Sequence, residues 1–180
     1  MDLEKLFQTQ KVLRDKINYN ESDRLNKLVL ALLVELGECA NEWRGFKFWS
    51  KDQMPRIFVP IHKWIEGLKR VVGHTNPLLE EYVDGLHFVL ELGLEWGFQD
   101  KKPFLVHIGK TEEMFLRVYK CALLLKQCGT GRYHKEFYFG ELLSNYLGLG
   151  KALGFTWEEV EEAYMNKNAI NHKRQDSGVY

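Results

Sequence analysis

Four carboxylates carry the chemistry that this sequence can do. Glu35 and Glu38 stand in "LVLALLVELGECANEWRGFKFW", residues 28–49, and Glu81 and Asp84 stand in "EEYVDGLHFVLELG", residues 80–93. On a helix, i and i+3 side chains share one flank, about 60° apart and about one turn along. The runs around them are apolar. Leu25, Val29, Leu32, Leu36, Cys39 and Trp43 form one stripe, and Leu28, Leu30, Ala31, Leu33 and Val34 fill most other directions. Leu78, Leu79, Tyr82, Val83, Leu86, Phe88, Val89 and Leu90 surround the second pair. A helix apolar nearly all round reads as buried.

Burying an unpaired carboxylate costs several kcal/mol or forces protonation. Carboxylates held close together also raise one another's pKa. A positive partner is required, and neither helix offers one on those flanks. A hard divalent cation suits oxygen donors, and Mg²⁺ commonly keeps waters and bridges substrate phosphates. The expected cofactor is Mg²⁺, two or more ions, with Mn²⁺ as a substitute. One ExxE is ordinarily a solvated face, but two such pairs on two apolar helices point to a site. Glu42 and Glu91 continue the flanks and read as more exposed.

A second constellation closes the chain in "AYMNKNAINHKRQDSGVY". Lys167, Asn171 and Arg174 fall at i, i+4 and i+7, one helix face. Arginine grips phosphate oxygens bidentately and lysine acts as a point charge, so this face suits a polyphosphate. The competing explanation is complementation of the helix macrodipole, with Glu158–Glu162 at the start and bases at the end.

The elements that must position these residues read as helix after helix. A first amphipathic helix takes Leu3, Leu6, Phe7, Leu13 and Ile17, and a second runs from about Ser22 to Trp43. Arg44-Gly45 ends the second, glycine being suited to the left-handed C-cap. The aromatic-basic loop "GFKFWSKDQMP" follows. Residues 55–72 are expected as a helix interrupted at Pro60, with no period-2 strand of useful length. Asn76-Pro77 starts a helix that reaches about Trp96 and stops at Gly97. Thr111 opens a helix to about Cys128, "GTGR" is a turn, and a helix covers about 133–153. Thr156 and Glu159 form a capping box for a last helix to about Arg174. The fold class is all-α, a helical bundle in one domain over residues 1–180, with the site between the ExxE and ExxD helices.

Composition narrows the function further. A formal net charge of zero argues against a duplex-binding module, which normally shows a basic excess, so no nucleic-acid partner is expected. No run of about 18 apolar residues spans a bilayer, so no membrane partner is expected. "MDLEKLFQTQ" lacks a secretory pattern, and Cys39, Cys121 and Cys128 match neither a zinc spacing nor a disulfide framework. A reducing cytoplasmic setting is expected.

ExxE, then ExxD, then KNxxNxxRQxxG resembles the dimeric all-α dUTPases, within the all-α NTP pyrophosphatase (MazG-like) superfamily. The carrying residues are Glu35 and Glu38, then Glu81, Asp84, His87 and Phe88, then Lys167, Asn171 and Arg174. The resemblance implies a homodimer and Mg²⁺-dependent hydrolysis of dUTP to dUMP and pyrophosphate. dUDP is a second candidate substrate. By it, Glu35, Glu38, Glu81 and Asp84 hold the metal ions, and Lys167, Asn171 and Arg174 hold the phosphates. It also implies uracil recognition through Gln10. The family often has asparagine or aspartate four residues later, where this chain has Arg14. Water would attack the α-phosphate, with Glu35 or Glu38 accepting its proton. Lys47 and Trp49 are candidate contacts to phosphate and base. Phe88 is a candidate stacking partner for uracil, and His87, which points away from the acids, a deoxyribose candidate.

Three other readings use the same residues. A related dCTPase or broad MazG-like enzyme would share the acids and differ in its base pocket. A non-enzymatic helical interaction protein would carry the acids as surface decoration. A di-iron bundle would want Glu-x-x-His pairs, and neither acid pair has histidine at i+3.

Overall fold

The computed structural model describes every residue except Met1, Leu105, His107, Gly129, Thr130 and Tyr180. Its elements in chain order are α1 (Leu3–Ile17), α2 (Arg24–Trp43), β1 (Val59–Ile65), β2 (Leu68–Thr75), α3 (Pro77–Trp96), α4 (Thr111–Gln127), α5 (Arg132–Ala152) and α6 (Trp157–Ser177). The class is all-α, as the periodicity predicts. Two residues of the "GTGR" turn, Gly129 and Thr130, lie outside the described residues.

Helix ends are set by local chemistry. The Asp2 carboxylate accepts from the Lys5 N–H at 3.0 Å and opens α1. The Asn76 side chain accepts from the Leu79 N–H at 3.1 Å, Pro77 follows, and Gly97 closes α3 at φ 70°. Thr156 and Glu159 form the expected capping box on α6. At the end of α2, however, Arg44 and not Gly45 takes the left-handed conformation, at φ 65°. Gly45 is small for a different reason: a Cβ there would lie 2.3 Å from the Trp43 ring.

The hydrophobic centre is α3, which packs on α1, α2, α5 and α6. Leu78, Tyr82, Val83, Leu86, Val89, Leu90 and Leu92 are buried there. Each such side chain contributes about 1.5–3 kcal/mol through burial. Gly85 lets α5 approach: the Tyr146 hydroxyl donates to the Tyr82 carbonyl at 2.6 Å, and a Cβ on Gly85 would stand 2.2 Å from that oxygen.

α2 is less buried than its composition suggests. Val29, Leu32, Leu36 and Cys39 face the core, while Leu30 and Val34 are exposed. This helix packs on α3 and α4 along one side only, so part of its apolar circumference faces outward.

The expected helix over 55–72 is instead an antiparallel hairpin. β1 pairs with β2 from Val59↔Thr75 to Ile65↔Leu68, with a bulge between Ile61 and His62. Glu66 and Gly67 both have positive φ, 53° and 76°, the signature of a two-residue type I′ turn. Pro60 is tolerated because each strand of a two-stranded sheet has an open edge. Both faces are exposed, with Trp64, Leu68 and Val71 among the exposed side chains. No face is buried, so the sequence carries no alternating pattern. The remaining signals were β-branched residues at Val59, Ile61, Ile65, Val71 and Val72 around Glu66-Gly67.

Candidate functional site

α2 and α3 bring the ExxE and ExxD acids together. One carboxylate oxygen each from Glu35, Glu38 and Glu81 lies within 4.8 Å of the others. Glu35 and Glu81 are half-buried and Glu38 is exposed. Burial pushes Glu35 up to about 7, and the negative charges of Asp84 and Glu38 add to the rise. Burial likewise raises Glu81 to about 7, followed by repulsion from Asp84, Glu38 and Glu35. In both cases Lys167 opposes the shift.

Asp84 is not part of this trio. Lys167, from α6, donates to its carboxylate. The cation that neither acid-bearing helix offers comes from a third helix. Burial still raises the Asp84 pKa, against the opposing effects of Lys167 and Arg174.

A cavity of about 510 Å³ runs from these acids across the faces of α1, α3 and α6. That size suits a nucleotide-scale ligand. Glu35 and Asp84 line it together with Lys167, Asn171 and Arg174. α6 therefore presents its i, i+4, i+7 face to the space beside the acids. Gln10, His87 and Phe88 line the same cavity.

Behind Gln10 lies a polar network that sequence reasoning missed. Glu91, expected to be more exposed, is 6% exposed. Its carboxylate accepts from Arg24, lies 3.5 Å from Arg14 Nη1, and accepts from Gln10 Nε2 at 3.0 Å. Glu95 pairs with Arg14 at 2.6 Å and with Arg24 at 3.3 Å. Two guanidinium groups thus compensate two carboxylates, as buried charge requires. On the other side, Gln10 Oε1 accepts from the Tyr164 hydroxyl at 2.7 Å and meets His87 Nδ1 at 2.8 Å. The His87 ring stacks on Tyr164 with centroids 4.1 Å apart. Burial, with the nearby Lys167 charge second, pushes His87 down to about 3. The available signal was spacing: Arg14 follows Gln10 by four residues, and Glu95 follows Glu91 by four.

Two candidates are not brought to the cavity. Lys47 donates to the carbonyl of Asn41 at 3.3 Å and to its side-chain oxygen. Trp49 is exposed, edge-on to Phe46 and Phe48. Glu42, more enclosed than expected, pairs with Arg56 at 3.1 Å. Among the described residues, no helix is long and apolar enough to cross a membrane.

A comparison with curated proteins gives no match. The family described as dUTPase matches residues 2–179, which takes in all four acids, the α6 basic face and the Gln10 network. This chain therefore belongs to the dimeric all-α dUTPase family, whose members hydrolyse dUTP.

Proposed function

We propose that this protein is a single-domain, Mg²⁺-dependent enzyme that hydrolyses dUTP to dUMP and pyrophosphate by attack of water on the α-phosphate, removing dUTP from the nucleotide pool. One observation carries the reading: a single cavity joins two of the acids to the Lys167, Asn171 and Arg174 face and to the Gln10 end. The donor set fits a hard cation. Three carboxylates converge within 4.8 Å, and two of them are held near 7 by burial and mutual repulsion, which a cation would relieve.

Glu35, Glu38, Glu81 and Asp84 would hold the ion. When bound, Mg²⁺ supplies positive charge against phosphate oxygens and makes water more acidic. Arg174 offers a bidentate grip on the polyphosphate, Asn171 an amide donor and Lys167 a point charge. These cations stabilise the negative charge that develops in the transition state. Glu35 lines the cavity whereas Glu38 does not, so Glu35 is the better placed to take the proton of the attacking water. Phe88 offers a flat apolar surface to the nucleoside. Lys47 and Trp49 take no part in this reading. Family membership supports a homodimer.

The test is hydrolysis of dUTP, dUDP, dCTP, dTTP and UTP by the purified protein, with and without Mg²⁺. Mg²⁺-dependent turnover of dUTP, with little of dTTP, is expected. Preference for dCTP would keep the chemistry and move the base assignment. No turnover of any nucleotide would refute the proposal.

A further inference from the structure

The β1–β2 hairpin takes no part in the cavity, and its physics differs from that of the bundle. Neither strand forms an extended contact with a helix, and residues 60–72 are all exposed. A two-stranded hairpin alone in water is marginally stable at best, so an outside partner would steady it. Its cations lack partners too. Arg44 and Arg56, in the segment leading to it, pair with Asp52 and Glu42. Among the described residues Lys63, Lys69 and Arg70 pair with no acid, and Glu66 is the only acid between Val59 and Thr75. Lys63 and Arg70 stand directly opposite each other across the ladder. Such a like-charge pair destabilises a ribbon, and a bridging anion relieves it.

The register divides the ribbon into two faces. Lys63 and Arg70 share one with Ile61, Ile65 and Leu68, while His62, Trp64, Lys69 and His74 share the other. On the second face Trp64 is 75% exposed, and Phe58, 71% exposed, stacks on His74 with centroids 3.8 Å apart. Same-face residues of a strand stand about 6.6 Å apart, the scale of one extended nucleotide. Trp64, His62 and the His74–Phe58 pair thus form a stepped track of rings beside Lys69.

We propose that this ribbon binds single-stranded nucleic acid, with unpaired bases stacked on the Trp64 face and Lys63, Lys69 and Arg70 against the phosphates. Stacking on exposed rings beside cations is how a single strand is held without sequence preference. A ribbon two strands wide, about 4.8 Å across, lets the long Lys63 and Arg70 stems reach a backbone that passes over its edge. The zero net charge of the chain is no obstacle, because the basic excess is local. A duplex hides the flat faces of its bases from such rings. A second copy docked ribbon to ribbon would set the cations against one another. A lipid surface would bury Lys69 with one face or Lys63 and Arg70 with the other, at high cost.

The experiment measures fluorescence anisotropy of labelled oligo-dT and oligo-rU of about twenty nucleotides, and of a duplex of equal length, with the full chain. Binding to a single strand, tighter than to the duplex, is expected, and the two single strands separate DNA from RNA. With about three phosphates neutralised, single-strand affinity should fall roughly twentyfold between about 50 and about 200 mM salt. Trp64→Ala is expected to weaken binding by at least about fivefold. The triple variant Lys63→Glu, Lys69→Glu, Arg70→Glu should weaken it by at least about tenfold. Both variants should keep the wild-type Tm and dUTP turnover, because the ribbon lines neither the core nor the cavity. No wild-type binding to either single strand, a preference for the duplex, or variants that bind as the wild type does would overturn the proposal. So would equally tight binding of poly-glutamate, which would show a surface for acidic polypeptides. Loss of self-association in the variants, with no nucleic-acid binding by the wild type, would make the ribbon a contact between copies and overturn it too. If the triple variant unfolds, Trp64→Ala and the wild-type salt dependence still decide. Turnover is read separately, so failure here leaves the hydrolysis proposed above untouched.

Discussion

Glu38 is exposed, yet its carboxylate oxygen stands within 4.8 Å of those of Glu35 and Glu81. A surface glutamate contributes little to stability, so its proximity to two half-buried acids makes sense as a shared ligand set. Glu38→Gln is therefore expected to leave thermal unfolding nearly unchanged while lowering kcat/KM. The loss should exceed the roughly 10–100-fold typical of an outer partner in a metal site. Near wild-type turnover would remove Glu38 from the site. At this scale the sequence was legible where chemistry follows from local spacing. The i, i+3 acids and the i, i+4, i+7 basic face can be read from one helix at a time. Gln10–Glu91 and Lys167–Asp84 cannot, because their partners lie on different helices and only packing brings them together.

α3 holds Glu81 and Asp84 in place because its opposite faces are locked by other helices. Gly85, beside Asp84, admits the buried Tyr146 hydroxyl. Gly85→Ala would ordinarily favour a helix by up to about 1 kcal/mol. Here the added methyl meets an oxygen 2.2 Å away, and overpacking of this kind costs about 1–3 kcal/mol. Net destabilisation is expected in urea unfolding; an unchanged midpoint would show that Tyr146 moves freely. Elements with caps and a buried stripe were legible in the sequence, α3 almost residue by residue and α6 from its start, although α6 runs on past Arg174 to Ser177. The hairpin was not, because a ribbon exposed on both faces leaves no hydrophobic period to detect. α2 was misjudged for a related reason: composition records how apolar a helix is, but packing decides which side of it is covered.

Across the whole molecule, the acid cluster couples stability to pH and to cations. Glu35 and Glu81 have folded-state pKa values raised to about 7 from 4.5. Between those values the folded chain binds more protons than the unfolded one. Their stabilising contribution is complete below the unfolded pKa and is lost as pH rises through the folded one. The cation-free protein should therefore lose some thermal stability between about pH 5 and about pH 8, and Mg²⁺ should raise Tm more at the higher pH. An equal Mg²⁺ effect at both pH values would contradict the assignment of these acids as ligands. Family membership leads to a further expectation, a dimer in sedimentation at micromolar concentration, with a persistent monomer as the opposing result.

The most direct test of the central claim is hydrolysis of dUTP in ¹⁸O-labelled water with Mg²⁺, with both products identified by mass. Water attack on the α-phosphate predicts equal amounts of dUMP and pyrophosphate, with the label in dUMP. Label in pyrophosphate, release of dUDP and phosphate, or no Mg²⁺-dependent turnover would contradict it.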